Sequence, residues 1–209
     1  MNSAIKYSIN NCAVLIIAAG ESRRLGSPKQ LLIFEGDSLI NRIIKTIHTA
    51  VSFPIHLVLG ASADTIQAQL PAIDLNVVMN QDWKEGMASS IRIGLTAAMN
   101  QQPNLEGVVI VVCDQPYLNT NTITSLFQMQ KNQDAPITAA YYNNIVGTPA
   151  LFHKRIFPAL LSLNGDQGAK RIIQEREEEV AKLHFEQGAV DIDTKEDYQA
   201  LLQEKSTND

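Results

Sequence analysis

The chain has 209 residues, of which 45% are hydrophobic, so one globular domain can bury a substantial core without metals or disulfides. The formal net charge is −5 and the basic residues form no long stripe, which argues against nucleic acid or an anionic membrane as the main partner. Cys12 and Cys113 have no metal-type or disulfide-type spacing, so we predict buried thiols in a reducing compartment. The sequence has no signal-peptide pattern and no run near the ~20 apolar residues of a membrane span, and we expect a cytoplasmic protein.

The first two thirds of the chain alternate short apolar runs with segments of helical period. This alternation is typical of βαβ units that build a parallel sheet, so we predict one α/β domain with a mostly parallel central sheet. The run 107–113, "GVVIVVC", is the most apolar and is predicted to be a central strand. The other predicted strands are residues 13–18, 54–59, 75–79 and 136–142. One predicted helix carries the apolar residues 39–47, with Asp37 or Ser38 as its N-cap. Two others span residues 63–70 and 122–130, and a fourth begins at Met87.

The pattern becomes less regular from Val146 onward. Glycine and proline punctuate the segment "VGTPALF", to which no regular element is assigned. We predict a helix over residues 153–163, a loop in "NGDQGAKRIIQ" that opens another helix, and an edge strand over 180–185. In "DIDTKEDYQALLQEK", Thr194 is placed as the N-cap of a terminal helix with Asp197 as its capping-box partner, and the tail "STND" is expected to fray.

A short basic loop follows the first predicted strand in "VLIIAAGESRRLGSPKQLL", residues 14–32. In open α/β sheets this position is a frequent phosphate site. A dinucleotide fingerprint, G-x-G-x-x-G, is excluded because no second glycine follows Gly20 at the required spacing. A Walker A loop is excluded because five residues separate Gly20 from Gly26 and Lys29 does not adjoin Gly26. Neither common phosphate loop explains the stretch.

A looser phosphate-binding device remains. Gly20 allows a nucleotide to approach the backbone closely, and Arg23, Arg24 and Lys29 can supply positive charge to its phosphates. A solvated basic loop, balanced by Glu21, is the alternative.

Two acidic sites follow apolar segments. Asp114 ends the predicted central strand in "VVIVVCDQP" and is the best candidate ligand for Mg²⁺, which prefers a few carboxylates together with phosphate oxygens and water. The alternative is an ordinary turn residue. Asp191 and Asp193 lie two residues apart and share one side if the stretch is extended, although acidic residues also favour a helix N-terminus.

The motifs resemble those of a known family. "AAGESRRLGSPKQLL" is similar to the signature A-A-G-x-S-x-R-[ML]-G-x-x-K-x-L-L of nucleotidyltransferases that activate a phosphorylated acceptor. "NQDWKEGMASSIRIGL", "VVCDQPYL", "GTPALFHKRIFPALLSLNGDQGAKRII" and "DIDTKEDYQAL" extend the likeness over residues 14–202, and the chain most resembles the molybdenum cofactor cytidylyltransferases. The resemblance implies a single three-layer α/β/α Rossmann-like domain over 1–209. It further implies a nucleotide-binding part, about 13–118, and an acceptor-binding part, about 119–204.

The resemblance also assigns roles to particular residues. Arg24 and Lys29 would grip the triphosphate, and Asp114 would bind metal with Asp193, or with Asp191 as the alternate second ligand. The implied catalytic residues are Arg24, Lys29 and Asp114. Base, ribose and pyrimidine recognition falls to Ala18, Ala19, Gly20, Asn80, Gly86, Ser89 and Ser90, although the two serines could equally cap a helix. The acceptor pocket would contain Gly147, Thr148, Pro149 and Asp166, with Lys170 as a cation, although "GDQGA" alone also reads as an ordinary turn.

The function implied by the resemblance is Mg²⁺-dependent transfer of a cytidylyl group from CTP to the terminal phosphate of molybdopterin. The products would be molybdopterin cytosine dinucleotide and pyrophosphate. A client molybdoenzyme of the xanthine dehydrogenase type is a candidate partner. The alternatives are a guanylyltransferase of the same pathway, a cytidylyl- or uridylyltransferase for a sugar or polyol phosphate, and a non-catalytic chaperone that delivers the cofactor.

Overall fold

A computed structural model describes Tyr7 and residues 9–206, so the predicted fraying of residues 207–209 lies outside the described residues. The strands are β1 (Cys12–Ala18), β2 (Ile33–Phe34), β3 (Asp37–Ser38), β4 (Ile55–Leu59), β5 (Asn76–Met79), β6 (Gly107–Val112), β7 (Ile137–Tyr142), β8 (Ile145–His153) and β9 (Val180–His184). The α-helices are α1 (Leu39–Ala50), α2 (Ala63–Gln67), α3 (Met87–Gln101), α4 (Thr120–Gln133), α5 (Phe157–Leu161), α6 (Ala169–Glu175) and α7 (Lys195–Ser206).

Seven strands form one sheet in the order β5-β4-β1-β6-β8-β7-β9. Only β8 runs antiparallel to its neighbours in this sheet, which confirms the predicted mostly parallel sheet. The most apolar run, β6, lies in the middle of the order, and β9 lies at an edge, as predicted. The remaining pair, β2 and β3, forms a separate antiparallel hairpin.

Helices cover both faces of the sheet and give three layers. Along β1, Leu15 and Ile17 face the core under α3, α5 and α6, while Val14 and Ile16 face the core under α1, α2 and α4. Burial on both faces explains why β1 reads as a continuous apolar run rather than an alternating one. Each fully buried Leu or Ile contributes about 1.5–3 kcal/mol from the removal of apolar surface from water. The predicted α/β/α architecture is confirmed.

A smaller apolar cluster attaches α7 to the chain's N-terminal half. Leu201 of α7 packs with Phe34 of the β2–β3 hairpin, Leu25 of the basic loop and Ile192. The Tyr198 hydroxyl donates a hydrogen bond to the Ile33 carbonyl at 2.7 Å. The C-terminal segment is thereby held against the loop that follows β1.

The segment "VGTPALF", to which the sequence pattern assigned no element, belongs to β8. The β7–β8 register shifts between Ala139 and Ala140, so residues 148–149 form a bulge. Pro149 lies in that bulge, where its missing N–H removes no ladder hydrogen bond. A proline that normally argues against an interior strand is therefore accommodated.

The predicted helix over 153–163 begins too early. His153 is the last residue of β8 and is followed by a 3₁₀ turn, Lys154–Ile156, before α5 begins at Phe157. The His153 Nδ1 atom accepts a hydrogen bond from the Arg155 amide, which closes this turn. Pro158 sits in the first turn of α5, where proline is tolerated.

Other helix boundaries differ by a few residues. The predicted helix 63–70 ends at Gln67, and the predicted helix 122–130 spans Thr120–Gln133, with Asn119 as N-cap. Ser38 caps α1 through its side chain, as one of the two predicted N-caps. No described helix combines the length and apolarity that a bilayer span requires. Cys12 and Cys113 are free and buried, as predicted.

Candidate active site

A cavity of about 580 Å³ opens at the carboxyl ends of β1 and β6. These neighbouring strands are parallel, so the loop after β1 and the residues after β6 emerge at the same edge of the sheet. Main-chain and side-chain groups from both segments line the cavity together with the start of α3. The cavity is lined by Ile17, Ala18, Ala19, Gly20, Glu21, Ser22, Arg23, Lys29, Gln30, Trp83, Lys84, Gly86, Met87, Ser90, Val112, Cys113, Asp114 and Asp166.

The Lys29 ammonium, which lines this cavity, joins the carboxylate of Asp114, also in the lining, to that of Asp193, which is not part of it. Its Nζ atom lies 2.8 Å from Asp114 Oδ2 and 2.8 Å from Asp193 Oδ1. Burial alone would lower the pKa of Lys29, but the charges and hydrogen bonds of the two carboxylates raise it above its ordinary value. Lys29 therefore stays protonated at neutral pH, and it unites residues that are 85 and 164 positions away in sequence.

A second cation reaches the same carboxylate. The Arg24 guanidinium lies 2.8 Å from Asp193 Oδ2. The hydrogen bond from Lys29 holds the pKa of Asp193 below its ordinary value, assisted by the charges of Lys29 and Arg24. By contrast, burial and the charges of Asp114 and Asp193 raise the pKa of Asp191. The two acidic candidates of "DIDT" thus have opposite electrostatic environments.

Helix capping positions Asp193. The Thr194 amide donates to Asp197 Oδ2 at 2.7 Å and the Asp197 amide donates to Thr194 Oγ1 at 3.1 Å, which is the predicted capping box. Asp197 Oδ2 also accepts from the Asp193 amide at 3.1 Å. A further bond joins the Ile192 amide to the Asp114 carbonyl at 3.1 Å. The segment before α7 is in this way tied directly to Asp114, two residues after the end of β6.

The basic loop is fastened from within. Gln30 is buried, and its Nε2 atom donates to the Ala18 carbonyl at 2.8 Å and the Gly20 carbonyl at 3.2 Å. The Lys29 amide donates to Ser22 Oγ at 3.0 Å. The burial of Gln30 is not predictable from the sequence, because a glutamine in a loop carries no signal of burial.

The three predicted phosphate-binding cations lie in different surroundings. Lys29 and Arg23 line the cavity, whereas Arg24 contacts Asp193 without being part of the lining. Arg23 is mostly exposed and pairs with Glu21 at 2.6 Å, the partner that the alternative of a solvated loop requires. Lys29 is consequently the most enclosed of the three.

The predicted base-recognition residues divide into a lining set and a supporting set. Ser90 lines the cavity, and its Oγ accepts from Asn80 Nδ2 at 2.9 Å. Asn80 and Ser89 are buried and are not part of the lining; Asn80 Nδ2 also donates to Ser89 Oγ at 2.8 Å, and Ser89 Oγ donates to the Gly86 carbonyl at 2.8 Å. Asn80 and Ser89 therefore hold Ser90 and Gly86 in place. The predicted residues that line the cavity here are Ala18, Ala19, Gly20, Gly86 and Ser90.

Gly86 joins the start of α3 to the "NGDQGAK" loop. Its φ is +111°, and a Cβ at this position would lie 2.4 Å from the Gly165 carbonyl oxygen and 2.5 Å from Asp166 Oδ1. The Ala88 amide donates to that Gly165 carbonyl at 3.1 Å. Asp166, which the family resemblance assigns to the acceptor pocket, accordingly lines the first cavity beside Gly86.

A second cavity of about 380 Å³ adjoins the first and shares Met87, Val112 and Asp114 with it. The other lining residues come from α6 and its preceding loop, from β8 and its turn, and from the segment before α7. Pro149, predicted in the acceptor pocket, is buried in β8 and is not part of the lining. The predicted residues that line this second cavity are Gly147, Thr148, Lys170 and Asp191, together with the unpredicted Gln115 and Tyr142.

The carboxylates around Lys29 suit a hard divalent cation. Asp114 lines both cavities and Asp193 lines neither, and each presents an oxygen to one common point, which Lys29 Nζ contacts. Two carboxylates completed by phosphate oxygens and water match the ligands that Mg²⁺ prefers. Among the described residues, no group of three or more His, Cys, Asp and Glu side chains is arranged to hold a metal by itself. Asp114 and Asp193 could therefore hold a metal together with a phosphate ligand.

Curated proteins are similar to this chain in sequence. Nicotine blue oxidoreductase of Paenarthrobacter nicotinovorans is 28% identical over 199 residues, which cover 90% of this chain and 95% of that protein. A probable molybdenum cofactor guanylyltransferase of Geobacillus sp. (strain WCH70) is 25% identical over 147 residues, which cover 70% of this chain and 72% of that protein.

Solved structures of similar fold superpose on most of this chain. The crystal structure of Rv0371c from Mycobacterium tuberculosis H37Rv superposes with a TM-score of 0.81 at 27% identity, covering 93% of this chain and 99% of that one. A manganese complex of Rv0371C superposes with a TM-score of 0.77 at 25% identity, with the same coverage.

Fold, loop and site together define a nucleotide-binding α/β protein of the nucleotidyltransferase class. Residues 14–180 match the family model described as "MobA-like NTP transferase domain". The chain belongs to this family.

Proposed function

We propose that this protein transfers a cytidylyl group from CTP to the terminal phosphate of molybdopterin, with Mg²⁺ as cofactor and pyrophosphate as the leaving product. The observation that carries the proposal is the pair of adjoining cavities that share Asp114. The first cavity has the basic loop and Asp114, whose partner Lys29 also contacts Asp193, which suits a metal-bound triphosphate, and the second has room for an acceptor. The manganese complex of Rv0371C supports a divalent metal in a related protein.

The chemistry is a displacement at the α-phosphorus of CTP. An oxygen of the acceptor phosphate forms the new P–O bond, and the bond to the β-phosphate oxygen breaks, so that pyrophosphate leaves with the electron pair. A phosphate monoester has a second pKa of about 6 and is already largely ionised near neutral pH, so no general base is required. Bound Mg²⁺ would neutralise charge on the phosphate oxygens.

The protein's own contribution is positioning and charge. Lys29 supplies positive charge inside the first cavity, where pyrophosphate would form, and Arg24 adds charge from outside the lining through its contact with Asp193. Asp114 stands at the junction of the two cavities, between the nucleotide and the acceptor. Because the two reacting phosphates are held in adjoining cavities, much of the rate enhancement comes from orientation and electrostatic stabilisation.

The choice of CTP and molybdopterin rests on sequence motifs. The loop reads Ala18-Ala19-Gly20, with Pro28 where a guanylyltransferase pattern has Asp, which favours a cytosine base over guanine. The segments Gly147-Thr148-Pro149 and 165–169, "GDQGA", favour a molybdopterin acceptor over a sugar or polyol phosphate. The relative from Geobacillus sp. keeps guanylyl transfer as the nearest alternative.

A redox function is a distinct candidate because one relative is named nicotine blue oxidoreductase. The loop after β1 lacks the dinucleotide fingerprint, and its cations face a carboxylate pair, which suits metal-bound phosphate. Reduction of nicotine blue by an added reduced nicotinamide nucleotide, with no pyrophosphate released from any nucleotide, would favour the redox candidate.

The substrate test compares four nucleotides and two acceptors. Purified protein with Mg²⁺ is given CTP, GTP, UTP or ATP and either molybdenum-loaded molybdopterin or a polyol phosphate, and pyrophosphate is measured. We expect turnover with CTP and molybdopterin. Turnover with GTP alone would reassign the base, and turnover only with the polyol phosphate would contradict the proposed acceptor.

A further inference from the structure

Two buried glutamines directly follow the charged residues at the floor of the site. Gln30 follows Lys29 and is 1% exposed, and Gln115 follows Asp114 and is 3% exposed. A buried amide N–H is costly unless it is hydrogen-bonded. Each Nε2 atom donates two hydrogen bonds to backbone carbonyls, whereas each Oε1 atom is buried with no hydrogen-bond partner among the described residues.

Gln30 fastens the backbone of the first cavity. Its Nε2 atom donates to the carbonyls of Ala18, the last residue of β1, and of Gly20, at 2.8 and 3.2 Å. Both residues, and Gln30 itself, line the first cavity. None of the three lines the second cavity.

Gln115 fastens the backbone of the second cavity in the same manner. Its Nε2 atom donates to the carbonyls of Thr148 in β8 and of Gly188 in the turn Glu186–Ala189, at 2.9 and 3.1 Å. These residues line the second cavity and not the first. The wall is closely packed, because a Cβ on Gly188 would lie 2.8 Å from the ring of Tyr142.

We propose that Gln30 and Gln115 are positioning residues with separate duties, Gln30 for the nucleotide and Gln115 for the acceptor. This division rests on the proposed function, which assigns the first cavity to the nucleotide and the second to the acceptor. Each side chain ties its own segment to backbone that lines one cavity only, so the loss of either should disturb one substrate and spare the other. Neither glutamine reacts or carries charge.

Substitution by methionine tests the idea, because methionine keeps the length of the side chain and removes both N–H donors. Gln30→Met should raise the KM for CTP by about tenfold or more and leave the KM for the acceptor within about twofold, since a small displacement of a binding group weakens binding strongly. Gln115→Met should do the reverse, by similar factors. Rates are measured as pyrophosphate release with each substrate varied in turn.

The chain offers a matched control in Gln130. Gln130 is also buried, and its Nε2 atom also donates to two carbonyls, those of Tyr7 and Ala135, but it lines neither cavity. Gln130→Met should lower the melting temperature and leave both KM values unchanged. A merely structural role for the other two would give the same result in their variants. Parallel changes of both KM values, or no change in either, would overturn the proposal.

A second measurement needs no substrate and separates this proposal from the proposed function. Hydrogen–deuterium exchange of the free protein should rise at residues 18–30 in Gln30→Met, and at residues 146–149 and 186–192 in Gln115→Met. If the native protein transfers no nucleotide, the proposed function fails. The exchange pattern alone then tests whether Gln30 and Gln115 each hold the backbone of one cavity. Faster exchange across the whole sheet, or unchanged exchange at these segments, would overturn the proposal.

Discussion

Lys29 determines the charge balance of the candidate site. Its ammonium contacts both Asp114 and Asp193 at 2.8 Å, and its side chain is only 15% exposed. We predict that Lys29→Met lowers kcat/KM for nucleotide transfer by about 10²–10³-fold or more, because a fixed charge aimed at the developing pyrophosphate is lost. The exposed Lys182, paired with Glu177, gives the control variant Lys182→Met, which should retain full activity. Full activity of Lys29→Met would contradict the assignment.

Asp193 and Asp191 are distinguished by their surroundings. Asp193 pairs with Lys29 and Arg24, whereas Asp191 lines the second cavity and has a raised pKa from burial and from the charges of Asp114 and Asp193. We predict that Asp193→Asn lowers metal-dependent turnover by about 10²-fold and Asp191→Asn by less than about tenfold. Steady-state rates over a Mg²⁺ titration measure both. The reverse order would make Asp191 the second metal ligand.

At the scale of elements, the capping box of α7 links stability to the site. Thr194→Ala removes the hydrogen bond to the Asp197 amide and should lower the free energy of unfolding by about 0.5–2 kcal/mol. The same box fixes the Asp193 amide, so turnover should fall as well. The exposed Glu196 on the same helix gives the control Glu196→Ala, and urea unfolding compares the three proteins. A fully stable Thr194→Ala would show that α7 does not need its cap.

A buried histidine in β4 makes stability depend on pH. His56 is 1% exposed, and neither ring nitrogen has a hydrogen-bond partner among the described residues. Burial lowers its pKa below the ordinary value of 6.5. The folded state therefore binds fewer protons than the unfolded state, so the contribution of His56 to stability is retained above about pH 6.5 and decreases as the pH falls below that value.

The variant His56→Leu should remove this dependence. We expect the free energy of unfolding of the native protein to fall more steeply than that of His56→Leu between about pH 7 and pH 5, because the variant has no imidazole to protonate on unfolding. The exposed His48 of α1 supplies the control variant His48→Leu, which should keep the native slope. Parallel curves for the native protein and His56→Leu would contradict the prediction.

The elements also show where the sequence was sufficient. Period and capping chemistry predicted β1, β6, α1 and the Thr194 box, because these signals are local. The antiparallel strand β8 was missed, because its glycine and proline are tolerated only by a bulge opposite β7. The bulge depends on how β8 pairs with β7, and this pairing is not visible in the local sequence of β8.

At the scale of the whole molecule, the fold assembles the site from both ends of the chain. The motifs singled out Lys29, Asp114 and Asp193, and the structure brings these three side chains into contact. Burial was harder to predict, because Gln30 and Gln115 look like loop residues in the sequence. Asn80 and Ser89 are also buried, and they hold residues of the cavity lining in place without being part of it. The division into nucleotide and acceptor cavities remains a prediction.

The central claim is nucleotidyl transfer across the two adjoining cavities, and the fate of the α-phosphate of CTP tests it most directly. The protein is incubated with Mg²⁺, molybdopterin and CTP labelled at the α-phosphorus, with Asp114→Asn as the comparison. We predict that the label appears in the acceptor in equimolar amount with released pyrophosphate, and that Asp114→Asn forms neither product at a comparable rate. Absence of labelled acceptor with CTP, and with GTP, UTP and ATP in its place, would contradict the account.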